Sequence, residues 1–129
     1  MSRVADTSFL YALFDRGDER HEQAKKEFAK PQALHVPLPI LAEFLALLTL
    51  RHDRETALDA HDDLFRLPTV GILPVREEEE VVRLWRNEGG LSVADAAAIR
   101  ATMETGSRLL TFDRQQAKVL ARLRKDRPR

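Results

Sequence analysis

The chain contains no cysteine. That excludes a disulfide framework and thiolate-bound zinc, and it suits a reducing compartment. It also lacks an excess of either charge, with Lys plus Arg at 21 and Asp plus Glu at 21. A protein that grips nucleic acid through a broadly basic surface is not expected from that balance. Any dealings with phosphates would need local patches or a bound cation. No apolar run is long enough to span a bilayer, and no basic start leads into an apolar segment. These absences predict a cytoplasmic protein without a membrane span. Internal repeats and low-complexity blocks are missing too.

What is present fits a globular protein. A chain of 129 residues with 43% hydrophobic content can close a core as one domain over residues 1–129. The end of the chain, "RKDRPR" (about 124–129), reads as a short basic, solvated tail. Four short β-leaning pieces recur: residues 3–6 ("RVAD"), 34–36 ("LHV"), 71–75 ("GILPV") and 108–112 ("RLLTF"). Helical patterns lie between and after them, over 18–30, 39–50, 54–66, 76–88, 92–104 and 114–124. Their expected inner stripes are Ala24, Phe28 and Ala29; Ala57, Leu58, His61, Leu64 and Phe65; Val81, Val82, Leu84 and Trp85; and Ala117, Val119, Leu120 and Leu123. Strands alternating with helices predict a helix-rich α/β protein, with a short-stranded parallel sheet covered on both faces. Sites in such sheets form outside the carboxyl ends of the strands.

Two aspartates fall at such ends. Asp6 ends the first strand and Asp113 falls just after the fourth. Each is equally readable as a helix N-cap; Asp113, with Gln116 three residues on, resembles a capping box. Asp95 has the same double reading, because Ser92 precedes it by three residues ahead of an alanine-rich run. Glu43 has no cap to form. It sits inside "PILAEFLALLTL" with Ile40, Leu47 and Leu50 on its helical face. A charge there is costly unless paired or bound to a cation. Three aspartates and a glutamate gathered in one cleft need a counter-charge. A hard divalent ion, Mg²⁺ or Mn²⁺, supplies one, and it could orient a water and neutralise phosphoryl oxygens.

"VADTSFLYALF", "ILAEFLALL", "LSVADAAAIRATM" and "LLTFDRQQ", in this order and spacing, resemble the PIN domain. Within that superfamily they most resemble the VapC toxins of toxin–antitoxin pairs. The resemblance covers Arg3 to about Leu120. It implies a three-layer α/β/α sandwich and an endoribonuclease dependent on Mg²⁺ or Mn²⁺. The implied substrate is RNA of the translation machinery, often tRNA or rRNA. The implied partners are a second copy, as a homodimer, and a cognate VapB-like antitoxin. Carried over by position, Asp6, Glu43, Asp95 and Asp113 are the catalytic, metal-holding acids, and Ser8 and Thr111 are supporting hydroxyls. Some family members carry a further acid shortly after the fourth; here that stretch is "RQQAK".

The remaining motifs have plainer readings. The four histidines, His21, His35, His52 and His61, match no zinc spacing and read as structural or surface groups. Glu77–Glu80 reads as a solvated helix start. Trp85 reads as a core or dimer contact. Arg51, Arg54, Arg83 and Arg86 read as surface groups that could also line an RNA path. Two other functions are compatible with parts of the pattern. One is a non-catalytic PIN-like module that binds RNA or protein, which the presence of all four acids disfavours. The other is a phosphotransfer domain with Asp6 as nucleophile, which the stretch "DTS" disfavours because Ser8 stands where such enzymes carry a second aspartate.

Overall fold

Arg3, Val4 and Ala5 are all buried, the pattern of a strand covered on both faces. In the computed structural model, which describes residues 1–126, they form the central strand β1 (Arg3–Ala5). The other elements follow as α1 (Thr7–Phe14), α2 (His21–Phe28), β2 (Leu34–Pro37), α3 (Leu38–Arg51), α4 (Arg54–Leu64), β3 (Val70–Leu73), α5 (Glu78–Asn87), α6 (Val93–Thr105), β4 (Arg108–Leu110) and α7 (Arg114–Asp126). The sheet order is β3-β2-β1-β4, and every pairing is parallel. Val4 registers with His35 on one side and Leu109 on the other. The first and last strands are therefore neighbours, and their carboxyl ends lie together. The expected basic tail divides: its first residues end α7, and 127–129 lie outside the described residues.

Two apolar clusters hold the layers. The larger joins α1, α3 and α4 to the sheet through Phe9, Leu10, Val36, Ile40, Phe44 and Leu64. The smaller joins α5, α6 and α7 through Val81, Leu84, Ile99, Val119 and Leu120. Leu109 of β4 packs against both. Alanines at 96, 97 and 98 are buried in α6, and small side chains let a helix approach its neighbours closely. Among the described residues, no helix is long and apolar enough to cross a membrane.

Several sequence expectations shift in detail. The strands expected over 3–6 and 108–112 stop at Ala5 and Leu110. Beyond them the Asp6 N–H still bonds the Leu110 carbonyl at 3.2 Å, and side chains then take over, with Ser8 and Thr111 bonding Asp6. The helix expected from residue 18 begins at His21, because Asp18 forms a turn whose carboxylate accepts the Arg20 N–H at 2.8 Å. Ala29 and Leu58 are exposed, not part of an inner stripe. Val82 and Trp85 are each 42% exposed on α5, so Trp85 is not a core residue. Amphipathic spacing marks a broad stripe, and these positions lie at its edge. The Glu77–Glu80 run does begin a helix, with Glu77 in the left-handed region and paired with Arg100 at 2.7 Å. His21 is structural as expected, its Nδ1 bonded to the Ala12 carbonyl at 2.8 Å.

Gly106 ends α6 with φ 62°, and open space surrounds its Cα. A methyl group there meets no neighbour, so only the left-handed backbone is strained. Gly106→Ala is expected to destabilise by about 1 kcal/mol, read as a lowered midpoint in urea unfolding with an unchanged slope.

Candidate active site

Asp6 leaves β1 and caps α1, with Oδ1 accepting the Phe9 N–H at 2.9 Å. The side chain is fully buried. Two hydroxyls tie it to the end of β4. Ser8 Oγ donates to Asp6 Oδ1 at 2.8 Å and accepts the Phe112 N–H at 2.9 Å. Thr111 Oγ1 donates to Asp6 Oδ2 and accepts the Asp113 N–H at 2.9 Å. Each hydroxyl thus orients the carboxylate and fixes the backbone beyond β4. The supporting positions read from the sequence, Ser8 and Thr111, both touch Asp6.

Gln116 supplies the remaining contact. Its Nε2 donates to Asp6 Oδ2 at 2.9 Å and to Asp95 Oδ1 at 2.8 Å. Asp95 also completes the capping box of α6. Its Oδ2 accepts the Ser92 N–H at 3.0 Å, and Ser92 Oγ accepts the Asp95 N–H at 3.0 Å. The cap and the site readings of Asp95 therefore hold together, one per carboxylate oxygen. Asp113 caps α7 by accepting the Gln115 N–H at 2.9 Å. The capping box expected there does not close. Gln116 turns to the two aspartates instead, and the Asp113 N–H goes to Thr111.

Glu43 lies half-buried on α3. Leu50, expected on the same apolar face, is 85% exposed. Glu43 is in none of the ion pairs among the described residues. It lines a cavity of about 750 Å³ together with Ser8, Asp95, Asp113 and Gln116. The cavity also takes in Tyr11, Arg20 and Arg51. Arg51 stacks over the Tyr11 ring at 4.9 Å and Arg20 over Phe112 at 4.8 Å. Both cations are thereby held beside the acids, a local arrangement that a neutral net charge conceals. Arg20 and the bridging function of Gln116 were not legible in the sequence, because Arg20 meets Phe112, and Gln116 meets Asp6 and Asp95, only in the fold.

Burial pushes the Asp6 carboxyl above the ordinary aspartate range, against the opposing hydrogen bonds from Thr111, Phe9 and Ser8, and Asp95 adds repulsion. A carboxyl with a raised pKa binds its proton more tightly in the folded state. Its contribution to stability is full below the unfolded pKa and is lost as pH rises through the folded one. Asparagine does not titrate. The stability of Asp6→Asn relative to the parent is therefore expected to rise from pH 3.5 to pH 7.5, measured by melting both proteins with a chelator present.

The donor set is one of hard oxygens. Asp6 and Asp95 are drawn to one nitrogen, while Glu43 and Asp113 reach the cavity from α3 and the start of α7. No group of three or more acids, histidines or cysteines among the described residues is clustered tightly enough to hold one ion. A cation served by one or two carboxylates that keeps several waters fits this set, and Mg²⁺ behaves so. A softer metal would find neither thiolate nor imidazole in the lining.

No curated protein matches the chain. Solved structures do. The chain is similar to Mycobacterium tuberculosis VapC20, described as a sarcin–ricin loop cleaving toxin, with 27% identity and a TM-score of 0.79 over 92% of this chain and 95% of that one. It shares its fold with a chain of a toxin–antitoxin complex from Klebsiella pneumoniae (23% identity, TM-score 0.61, 87% of each chain). It also shares its fold with a chain of Rickettsia felis VapBC2 bound to promoter DNA (13% identity, TM-score 0.68, 92% of each chain). The PIN domain model matches residues 3–121, a span that begins at β1 and ends within α7 and so contains every residue of the cavity described above. With the parallel sheet and the adjoining ends of β1 and β4, that match establishes that the chain belongs to the PIN domain family.

Proposed function

We propose that the protein is a metal-dependent endoribonuclease of the VapC type, cutting RNA of the translation apparatus and silenced by a cognate antitoxin. One observation carries this reading. Asp6 and Asp95, distant in sequence, are held by the same amide nitrogen beside a cavity that Glu43 and Asp113 also line. Capping occupies one oxygen each of Asp6 and Asp95, and two carboxylates on one nitrogen are unfavourable without a counter-charge. The likeness to a toxin that cleaves the sarcin–ricin loop supports RNA as the substrate, and the toxin–antitoxin complexes of shared fold support an antitoxin partner.

In this reading Asp6 and Asp95 would hold a divalent cation. Such an ion would polarise the scissile phosphate and lower the pKa of an attacking water. Ser8 and Thr111 keep the Asp6 carboxylate from turning, through hydrogen bonds that do not involve substrate. Glu43, without a basic partner among the described residues, is available to accept a proton from water in the cavity. Asp113 is held by its cap of α7, so its carboxylate stays fixed in the turn beyond β4. Arg20 and Arg51 are positioned to meet backbone phosphates and offset the acids for an anionic substrate. The test is incubation of purified protein with total tRNA and rRNA in Mg²⁺ or Mn²⁺. Discrete cleavage that stops with chelator and with Asp6→Asn is the expected result. Equal cutting by both proteins would sink the assignment.

A further inference from the structure

Gln116 is 2% exposed, yet its amide is buried among charges. Both hydrogens of Nε2 are used, one on Asp6 Oδ2 at 2.9 Å and one on Asp95 Oδ1 at 2.8 Å. Oε1 is buried with no hydrogen-bond partner among the described residues. The two contacts fix the amide's orientation, because turned over it would set Oε1 against two carboxylate oxygens. Helix packing does not ask for an amide here. Val119 and Leu120, the other buried residues of α7, are apolar. A buried amide satisfied at one end and orphaned at the other calls for a reason. The reason lies in the carboxylates. Two like charges within reach of one nitrogen repel, and the partial positive charge of the NH₂ group relieves them. An ion bridging those same oxygens, at the short distances Mg²⁺ requires, would need the space that Nε2 fills.

We propose that Gln116 is a built-in competitor for the divalent cation. Its amide relieves the repulsion of the Asp6–Asp95 pair, an arriving ion must displace it, and the residue thereby sets how much cation the protein requires. This rests on the metal-dependent reading above. Gln116→Met keeps the length and burial of the side chain and removes the amide; Gln116→Leu is a second variant with the same logic. The full-length chain, stripped with chelator, is titrated with Mn²⁺ by calorimetry and melted with and without Mn²⁺, beside Asp95→Asn.

The expected result is Mn²⁺ binding about tenfold tighter in Gln116→Met, the ratio that ~1.4 kcal/mol represents. The metal-free variant should melt below the parent, and the gap should narrow at saturating Mn²⁺. Equal affinity, or a gap that Mn²⁺ leaves unchanged, would mean the amide stays in place and would overturn the proposal. Weaker binding in the variant would overturn it too, by making Gln116 a ligand. If parent and variant both bind no Mn²⁺, or Asp95→Asn binds it as the parent does, the metal site itself is misassigned. Should neither substitution fold, the side-chain amide signals of Gln116 in the ¹⁵N-labelled parent decide. They should shift on Mg²⁺ addition, and constant signals at saturation would overturn the proposal.

Discussion

Asp6→Asn should yield a folded protein that no longer cuts RNA. The two oxygens of Asp6 have separate duties. Oδ1 caps α1 through the Phe9 N–H and accepts from Ser8. Asparagine caps about as well as aspartate, so the retained oxygen preserves the helix start. Oδ2 faces Thr111 and Gln116. Replacing it with NH₂ sets a donor against two donors. The Thr111 hydroxyl can rotate away, so the local strain is tolerable, but the negative charge is gone. A cation held there would lose its most enclosed ligand, and cleavage should fall by roughly a hundred- to a thousandfold, the scale on which one preorganised electrostatic group acts. Circular dichroism and melting report the fold; timed RNA digestion in Mg²⁺ or Mn²⁺ reports the chemistry. A variant that melts early and still cuts would leave Asp6 as a cap alone.

The double duty of Asp6, Asp95 and Asp113 explains why the site was only half legible before the fold was known. Asp6 and Asp113 are N-caps in the structure and Asp95 is the third-position acid of the Ser92 capping box, and capping patterns are readable locally. Their second use depends on β1 lying beside β4, a pairing of residues more than a hundred positions apart. Strand pieces and helix patterns revealed the α/β class, since period and punctuation are local properties. The order of four acids suggested the family. Gln116 was different. Its spacing from Asp113 invited a capping-box reading, and long-range contacts overrode it. Trp85 and Leu58 fitted an apolar stripe, yet the layer they would have joined is already filled by Val81, Leu84 and Leu64.

The zero net charge likewise meant less than it first suggested. It excluded a broadly basic face, but charge is sorted in space. Acids and two ring-stacked arginines share one cavity. An RNA strand meeting that cavity would find cations for its phosphates and oxygens for an ion within the same small volume. Whole-chain balance cannot distinguish that arrangement from an evenly mixed surface, because the sum is the same.

Arg3→Met should show the opposite signature, with stability lost and chemistry kept. Arg3 is 1% exposed at the start of β1. Its guanidinium donates to the carbonyls of Glu27, Lys30 and Gln32, gathering the end of α2 and the loop that leads to β2. Carbonyls at a helix end have no partner within the helix, and a cation there also meets the negative end of the dipole. Burial, and the nearby Arg108 guanidinium, lower the pKa of Arg3, a sign that holding a charge here has its own cost. The bonds to the carbonyls outweigh it only while all are made. Methionine fills the volume but leaves the acceptors facing an apolar chain. We expect a loss of about 3 kcal/mol, the scale of hydrogen bonds to a charged donor, and a fall in Tm on the order of 10 °C. The acids are untouched, so below the melting range cleavage per folded molecule should stay near that of the parent. Calorimetry and RNA digestion on one preparation check both halves. An unchanged Tm would mean that water serves those carbonyls and that Arg3 is a spectator; a cleavage loss as deep as that of Asp6→Asn would mean that the anchoring of α2 carries into the chemistry.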